Sequence, residues 1–151
     1  MRHRGHLGDT PLPNWLMAVR ADLGAEVITT HISWLVLTAD RVYKVKQPVK
    51  FPFLDYSTPA KRWTCCLDEV RLNQRYAPEV YLGVVSLGPQ QEPAVLMRRF
   101  PESDRLDHVC ARGELTFGQM TDLAEVINEH YQGAAVASID APFGSPEQVA
   151  D

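Results

Sequence analysis

Three short runs of apolar and β-branched residues follow one another in the first third of the chain. They read AEVITTH, SWLVLTAD and RVYKVKQPV, and the corner at Ala39 and Asp40 leads into the third. This composition favours β-strands over helices. Because tight connections join antiparallel neighbours, we predict three strands in an antiparallel meander.

Helical spacing of apolar residues marks the stretch before these runs. We predict a helix within 11–23 that ends at Gly24, since glycine is common just after a helix. Its apolar positions are Trp15, Leu16, Val19 and Leu23.

A second helix follows the strands after KFPFLDYS, which has no sustained period and is predicted to be a loop. Thr58 supplies a capping hydroxyl and Pro59 suits the first helical position. The helix should end near Tyr76, because Pro78 disfavours helical backbone at the residue before it. Its apolar stripe consists of Trp63, Cys66, Leu67 and Val70.

The second half of the chain contains two further strands and two helices. YLGVVSL and AVLMRRF are predicted strands joined by a GPQQEP turn, and a short helix should cover Ser103 to Ala111, ended by Gly113. Thr116 and Gln119 form a capping box that begins the last helix, with Leu115 and Met120 at the positions of a hydrophobic staple. Its apolar stripe is Met120, Leu123, Ala124 and Ile127.

These elements predict an α+β fold in which a five-stranded antiparallel sheet carries one packed helix. The 151 residues suffice for one domain with a modest core, and 45% hydrophobic and 23% charged residues are ordinary values for a globular protein. We therefore do not expect a disordered or repetitive chain.

Charge and cysteine content narrow the function classes. A net charge of −4 argues against a nucleic-acid-binding domain, and Arg98, Arg99, Arg105 and Arg112 are interleaved with acidic residues. Cys65, Cys66 and Cys110 form neither a disulfide framework nor a zinc pattern. No secretory signal or membrane span is present, so we expect a cytoplasmic protein with no membrane contact.

The third predicted strand contains the candidate chemistry, Val42-Tyr43-Lys44-Val45-Lys46. Lys44 and Lys46 are two apart, so both side chains should lie on the same face of the sheet. In kinases, a lysine on this strand meets the nucleotide phosphates and pairs with a glutamate on the following helix. Glu69 is the expected partner, and Asp68 is its neighbour on the helix. The alternative is a solvent-facing surface, because alternating lysines on a strand are also typical of one.

Longer motifs indicate a family. The chain contains T-H-I-S-W, V-Y-K-V-K-x-P-V, F-L-D-Y-S-T and E-V-R-L-N-x-R-x-A-P-E-V-Y-L, continued by AVLMRRFPE and LDHVCARGELT. Over roughly 31–131 it resembles bacterial aminoglycoside phosphotransferase-like proteins, in particular the subgroup often fused to a P-loop ATP-binding domain. The resemblance implies a protein-kinase-like fold that binds ATP.

That resemblance assigns expected roles along the chain. Lys44 would contact the phosphates with Glu69 as its partner, and Lys46 remains the alternative lysine. Met97 to Phe100, with Arg98 and Arg99, would form the hinge whose backbone meets adenine. The turn of His31 to Trp34 would lie over the phosphates with Ser33 as a contact, although it lacks G-x-G-x-x-G and His31 is also a candidate for local capping.

The expected domain organisation follows from these roles. Residues 1–10 would be a flexible N-terminus, 11–100 a nucleotide-binding small lobe, 101–133 the first helices of a large lobe, and 134–151 a linker or frayed end. The chain has no H-G-D-x-H-x-x-N loop, and Asp140 in its terminal small-residue stretch is assigned no metal role. We therefore expect no catalytic or metal-ligating residue, Mg²⁺ only together with a large lobe, and no kinase activity from this chain alone.

Two explanations remain for the absent loop: a fragment of a longer phosphotransferase, which we favour, or a short protein that kept only the small lobe. Either leaves the stripe of the last helix uncovered, which suggests a large lobe or a partner protein against it. The alternative function is therefore a non-catalytic protein-interaction module. The phosphate acceptor is expected, by resemblance only, to be a hydroxyl of a sugar-like or aminoglycoside-like compound.

Overall fold

A computed structural model describes residues 11–138 of the chain. The predictions for 1–10, for Asp140 and for most of the linker 134–151 concern residues outside this range. The described helices are α1 Asn14–Asp22, α2 Pro59–Asn73, α3 Leu106–Ala111 and α4 Phe117–Gln132. The strands are β1 Glu26–Thr29, β2 Ser33–Leu37, β3 Arg41–Lys46, β4 Lys50–Phe51, β5 Leu54–Asp55, β6 Tyr81–Leu87 and β7 Glu92–Arg98.

Five strands form one antiparallel sheet in the order β1-β2-β3-β7-β6. The first three strands are the predicted meander, and β6 and β7 form a hairpin that pairs with β3 through β7. The predicted α+β class and the five-stranded antiparallel sheet are therefore confirmed. The strand that carries both lysines, β3, lies at the centre of the sheet, where it is bonded on both edges.

Helices cover both faces of the sheet, whereas the sequence predicted a single packed helix. On one face, Leu16 and Val19 of α1 pack in a core with Trp34, Val36 and Val45. On the other face, Cys66 and Val70 of α2 pack on Val95. The pattern of helix α1 revealed its apolar side but not which surface of the sheet it would cover.

The apolar stripe predicted for α2 is only half correct. Cys66 and Val70 are buried, but the side chains of Trp63 and Leu67 are 38% and 49% exposed. Arg62 is buried in their place, so the helix is rotated about its axis from the predicted orientation. The hydroxyl of Thr58 accepts a hydrogen bond from the backbone N–H of Lys61, which confirms the predicted cap.

The segment predicted as a loop, KFPFLDYS, contains a small hairpin. Strands β4 and β5 pair antiparallel, and Phe51 and Phe53 stack with their ring centroids 5.8 Å apart. The Nζ of Lys61 lies 2.5 Å from a carboxylate oxygen of Asp55 and connects this hairpin to α2. Strands of two residues are too short to leave a period in the sequence.

The chain divides into two compact units after Gly113. The predicted short helix in the first unit is a 3-10 turn at Glu102–Asp104 followed by α3. In the second unit, the predicted capping box of α4 is present between Thr116 and Gln119. No described residue of α4 is buried. No helix within 11–138 combines the length and the apolar composition needed to cross a membrane.

Replacing the cap of α2 tests how this helix is held. We expect Thr58→Ala to lower the free energy of unfolding by about 1 kcal/mol, because the N–H of Lys61 loses its acceptor. Thr64→Ala makes the same change within the same helix, where the hydroxyl only bonds back to the carbonyl of Ala60. Urea denaturation of both variants should show a loss for Thr58→Ala alone, and equal stability of the two would contradict the assigned cap.

Candidate functional site

Strand β3 places two lysine side chains on the face of the sheet that α2 covers. Lys44 lies opposite Leu35 of β2 and Val95 of β7, and Val95 packs against α2. Directly opposed residues of an antiparallel pair share a face, and so do residues two apart on one strand. Lys44 and Lys46 therefore point to the same side, as the sequence predicts.

Helix α2 brings Glu69 to these lysines. Cys66 and Val70 anchor the helix on the sheet, and the carboxylate between them along the chain is 15% exposed. Its Oε1 accepts a hydrogen bond from Lys44 Nζ at 2.8 Å, and its Oε2 accepts one from Lys46 Nζ at 2.7 Å. The expected Lys44–Glu69 pair is present, but both lysines share the one carboxylate. Asp68 instead pairs with Arg71 on the solvent side of the helix.

The two lysines differ sharply in their exposure. The side chain of Lys46 is 2% exposed, and its Nζ lies 4.9 Å from the centroid of the Tyr56 ring, within range of a cation–π contact. The side chain of Lys44 is 31% exposed. Lys46 is therefore enclosed by protein, whereas Lys44 is open to a ligand on one side.

The contact between Lys46 and Glu69 stabilises the ionised form of each residue. Burial alone would lower the pKa of Lys46, but the hydrogen bond and the charge of Glu69 raise it above its usual value. Burial alone would raise the pKa of Glu69, but the bonds from Lys44 and Lys46 lower it. With both lysines and the glutamate charged, this cluster carries a net charge of +1, and its accessible cation is Lys44.

A second ion pair, which the sequence analysis missed, holds the first turns of α2. The guanidinium of Arg62 donates through Nε and Nη2 to the two carboxylate oxygens of Glu92 at the start of β7. Its Nη1 donates to the carbonyl of Tyr56 at 2.8 Å. The side chains of Arg62 and Glu92 are 8% and 12% exposed, so helix α2 is tied to the sheet at two separate points.

Partly exposed apolar side chains lie on the same face as the lysines. They occupy paired positions on β1, β2, β3 and β7, whereas α2 packs mainly on β6 and β7. We call this surface the apolar sheet patch; it consists of Ile28, Leu35, Leu37, Val42 and Met97. It borders Lys44 directly, because Leu35 is the cross-strand neighbour of that lysine.

The turn between β1 and β2 is fixed by Thr30. Its hydroxyl accepts from the N–H of Ser33 and donates to the carbonyl of the same residue, both at 3.0 Å. His31 is exposed, and its side chain has no hydrogen-bond partner within 11–138, so the candidate capping role belongs to Thr30 instead. The Ser33 side-chain hydroxyl is buried without a hydrogen-bond partner among the described residues, opposite Lys46 in the register.

The backbone of the expected hinge is already largely bonded. The N–H of Arg98 donates to the carbonyl of Val80 at 2.8 Å, and the N–H of Arg99 donates to that of Asp40 at 2.9 Å. Met97 lies between β3 and β6. Among the described residues, Phe100 has a backbone N–H with no partner and an exposed side chain. Of these three backbone N–H groups, that of Phe100 is therefore available, whereas those of Arg98 and Arg99 are bonded.

Residues 11–138 contain no group of three or more His, Cys, Asp or Glu side chains that could hold a metal ion. The three cysteines are free thiols: Cys66 is buried, Cys65 is partly buried and Cys110 is exposed. Burial raises the pKa of the Cys66 thiol to about 11, so this thiol is unreactive at neutral pH.

Comparison with known proteins yields relatives without an established function. No model of a protein family matches the chain, and no solved structure matches it at a significant level. It is 36% identical over 113 residues to uncharacterized proteins of Mycobacterium tuberculosis (Rv2004c) and Mycobacterium bovis (Mb2027c). The match covers 72% of this chain but 23% of each relative, so the chain spans about a quarter of the length of these curated relatives.

Acid titration tests the charged state of Glu69. Because its pKa is lowered from 4.5, the carboxylate stabilises the fold above that pH and loses its contribution as the pH falls through its lowered value. We expect Glu69→Gln to show a smaller loss of unfolding free energy than the wild type between pH 7 and about pH 3. Urea denaturation at several pH values measures this difference.

Asp68→Asn provides the matched control, since it removes the neighbouring carboxylate on the exposed side of the same helix. Its stability should follow the wild-type pH dependence. An unchanged pH dependence in Glu69→Gln would show that Glu69 is not held as an ionised carboxylate.

Proposed function

We propose that this chain is the ATP-binding small lobe of a kinase-like small-molecule phosphotransferase. The observation that carries the proposal is the contact of Lys44 with Glu69 across β3 and α2. Kinases use such a strand lysine and helix glutamate to place the nucleotide phosphates. The family motifs quoted above support the same assignment.

The charge of the cluster suits a phosphate ligand. Two ammonium groups face one carboxylate, so one positive charge is left without a counterion within the cluster. Lys44 is the exposed cation and is held on the central strand of the sheet. A phosphate oxygen that approaches Lys44 gains a charge-assisted hydrogen bond at a preorganised position. In this proposal Lys44, not Lys46, is the phosphate ligand.

The apolar sheet patch suits a nucleobase. It borders Lys44 and leads along β3 and β7 to the segment 97–100. Aliphatic side chains such as Leu35 and Val42 can cover one face of a planar base, and the free N–H of Phe100 can meet a ring nitrogen. In this proposal Phe100 meets the edge of the base, the patch covers its face and Lys44 meets the phosphates.

Phosphoryl transfer requires groups that this proposal does not place in the described chain. An acid must orient the accepting hydroxyl and carboxylates must hold Mg²⁺. We place both in the large lobe of a longer protein; this chain matches 23% of the length of its mycobacterial relatives. The acceptor would be a hydroxyl of a sugar-like or aminoglycoside-like compound, and the protein would act in the cytoplasm.

Exposed apolar residues favour a second candidate, a protein-interaction module. Within α4, the side chains of Met120, Leu123 and Ile127 are 43%, 38% and 41% exposed. A module of this kind would not need nucleotide, so the effect of Lys44 on ATP binding distinguishes the two functions.

ATP binding by calorimetry tests the proposed function. We expect the wild type to bind ATP and Lys44→Ala to bind roughly 10- to 100-fold more weakly, since one charge-assisted hydrogen bond is lost. Lys50→Ala is the control, because Lys50 is 72% exposed and lies 4.0 Å from Asp55 in the small hairpin. No ATP binding by the wild type, or equal binding by Lys44→Ala, would contradict the proposal.

A further inference from the structure

The glutamate of this site has two lysine partners where one would complete the ion pair. Lys44 bonds to Oε1 of Glu69 and Lys46 bonds to Oε2, at nearly equal distances. The two contacts differ in setting, because the Lys46 side chain is 2% exposed and that of Lys44 is 31% exposed. A fully enclosed second lysine needs a physical explanation, because removing an ammonium group from water is costly even when it is paired.

We propose that Lys46 is a positioning residue that keeps Glu69 in place and thereby leaves Lys44 free to turn toward an anionic ligand. With a single lysine, moving that lysine to a ligand would leave the partly buried carboxylate unpaired. Here Glu69 retains the contact with Lys46 while the other cation moves. The anion is a nucleotide phosphate if the proposed function holds, and in that respect the inference rests on it.

The surroundings of Lys46 make it the fixed member. Its ammonium is held between Glu69 Oε2 and the ring of Tyr56. The carbonyl of Tyr56 accepts from Arg62, which is itself paired with Glu92. The lysine, the aromatic ring and helix α2 are therefore parts of one connected set of contacts. No comparable ring or second carboxylate contacts Lys44 among the described residues.

Removing Lys46 should consequently immobilise Lys44 instead of releasing it. In Lys46→Met, Glu69 keeps its charge but has only one cation near it, so both carboxylate oxygens become available to Lys44. The methionine side chain can occupy the enclosed space of the lysine stem beside Tyr56. A ligand would then compete with Glu69 for the one remaining ammonium.

Acetylation with acetic anhydride tests this without nucleotide. Mass spectrometry measures the rate at which each amine of the 151-residue chain is acetylated. In the wild type, Lys44 should react about tenfold or more faster than Lys46, because a hydrogen-bonded buried ammonium is shielded. In Lys46→Met, the rate at Lys44 should fall roughly fivefold, as one more charged contact forms at a partly exposed site. Lys50 serves as the internal standard.

The double variant Lys46→Met/Glu69→Gln separates positioning from general damage to the fold. Without the carboxylate charge nothing retains Lys44, so its rate should return to the wild-type value or above it. A Lys44 rate in Lys46→Met that equals or exceeds that of the wild type would overturn the proposal, and so would failure of the double variant to restore the rate.

A second measurement applies if Lys46→Met does not fold. Glu69→Gln alone should raise the rate at Lys44 roughly fivefold, since the contact that restrains the ammonium loses its charge. An unchanged rate in this variant would overturn the proposal as well. Because acetylation needs no ligand, absence of ATP binding would refute the proposed function and leave the positioning role standing.

Discussion

One carboxylate that bridges two lysines fixes the relation between helix and sheet in this fold. Glu69 receives one hydrogen bond from each of two residues on the central strand. The bridge is asymmetric, because one lysine is enclosed by protein and the other faces solvent. Cys66 and Val70 supply apolar contact on the same side of α2, but such contact is not directional. The apolar contacts therefore allow several rotations of α2 about its axis, and the charged contacts select one of them.

The buried Arg62–Glu92 pair reinforces that selection at the first turns of α2. Two ion pairs along one helix restrict both its rotation and its tilt, and each has hydrogen bonds in addition to charge attraction. Buried pairs are weak evidence for net stability, but in some proteins they specify one arrangement over others. The sheet side thereby presents an accessible ammonium beside an apolar surface, which is the combination that the proposed nucleotide site uses.

Much of this arrangement follows from the sequence, and the exceptions have physical reasons. The period of two on β3 placed both lysines on one face, and the caps at Thr58 and Thr116 marked helix starts correctly. The pairing of Arg62 was missed because an arginine within a helix normally indicates a solvent-facing position, and its partner Glu92 lies 30 residues away. That two lysines share Glu69 depends on how deeply each lysine side chain is buried. The periodicity of a strand gives no information about that depth.

The most direct test of the account is an NMR titration of the lysine side chains with ATP. The signals of the carbon next to each ammonium report on its surroundings, and the two lysines should respond differently. We predict that the Lys44 signal shifts saturably with ATP while the Lys46 signal stays in place, because Lys46 remains bonded to Glu69. A shift of the Lys46 signal without one at Lys44, or no shift at either lysine, would contradict it.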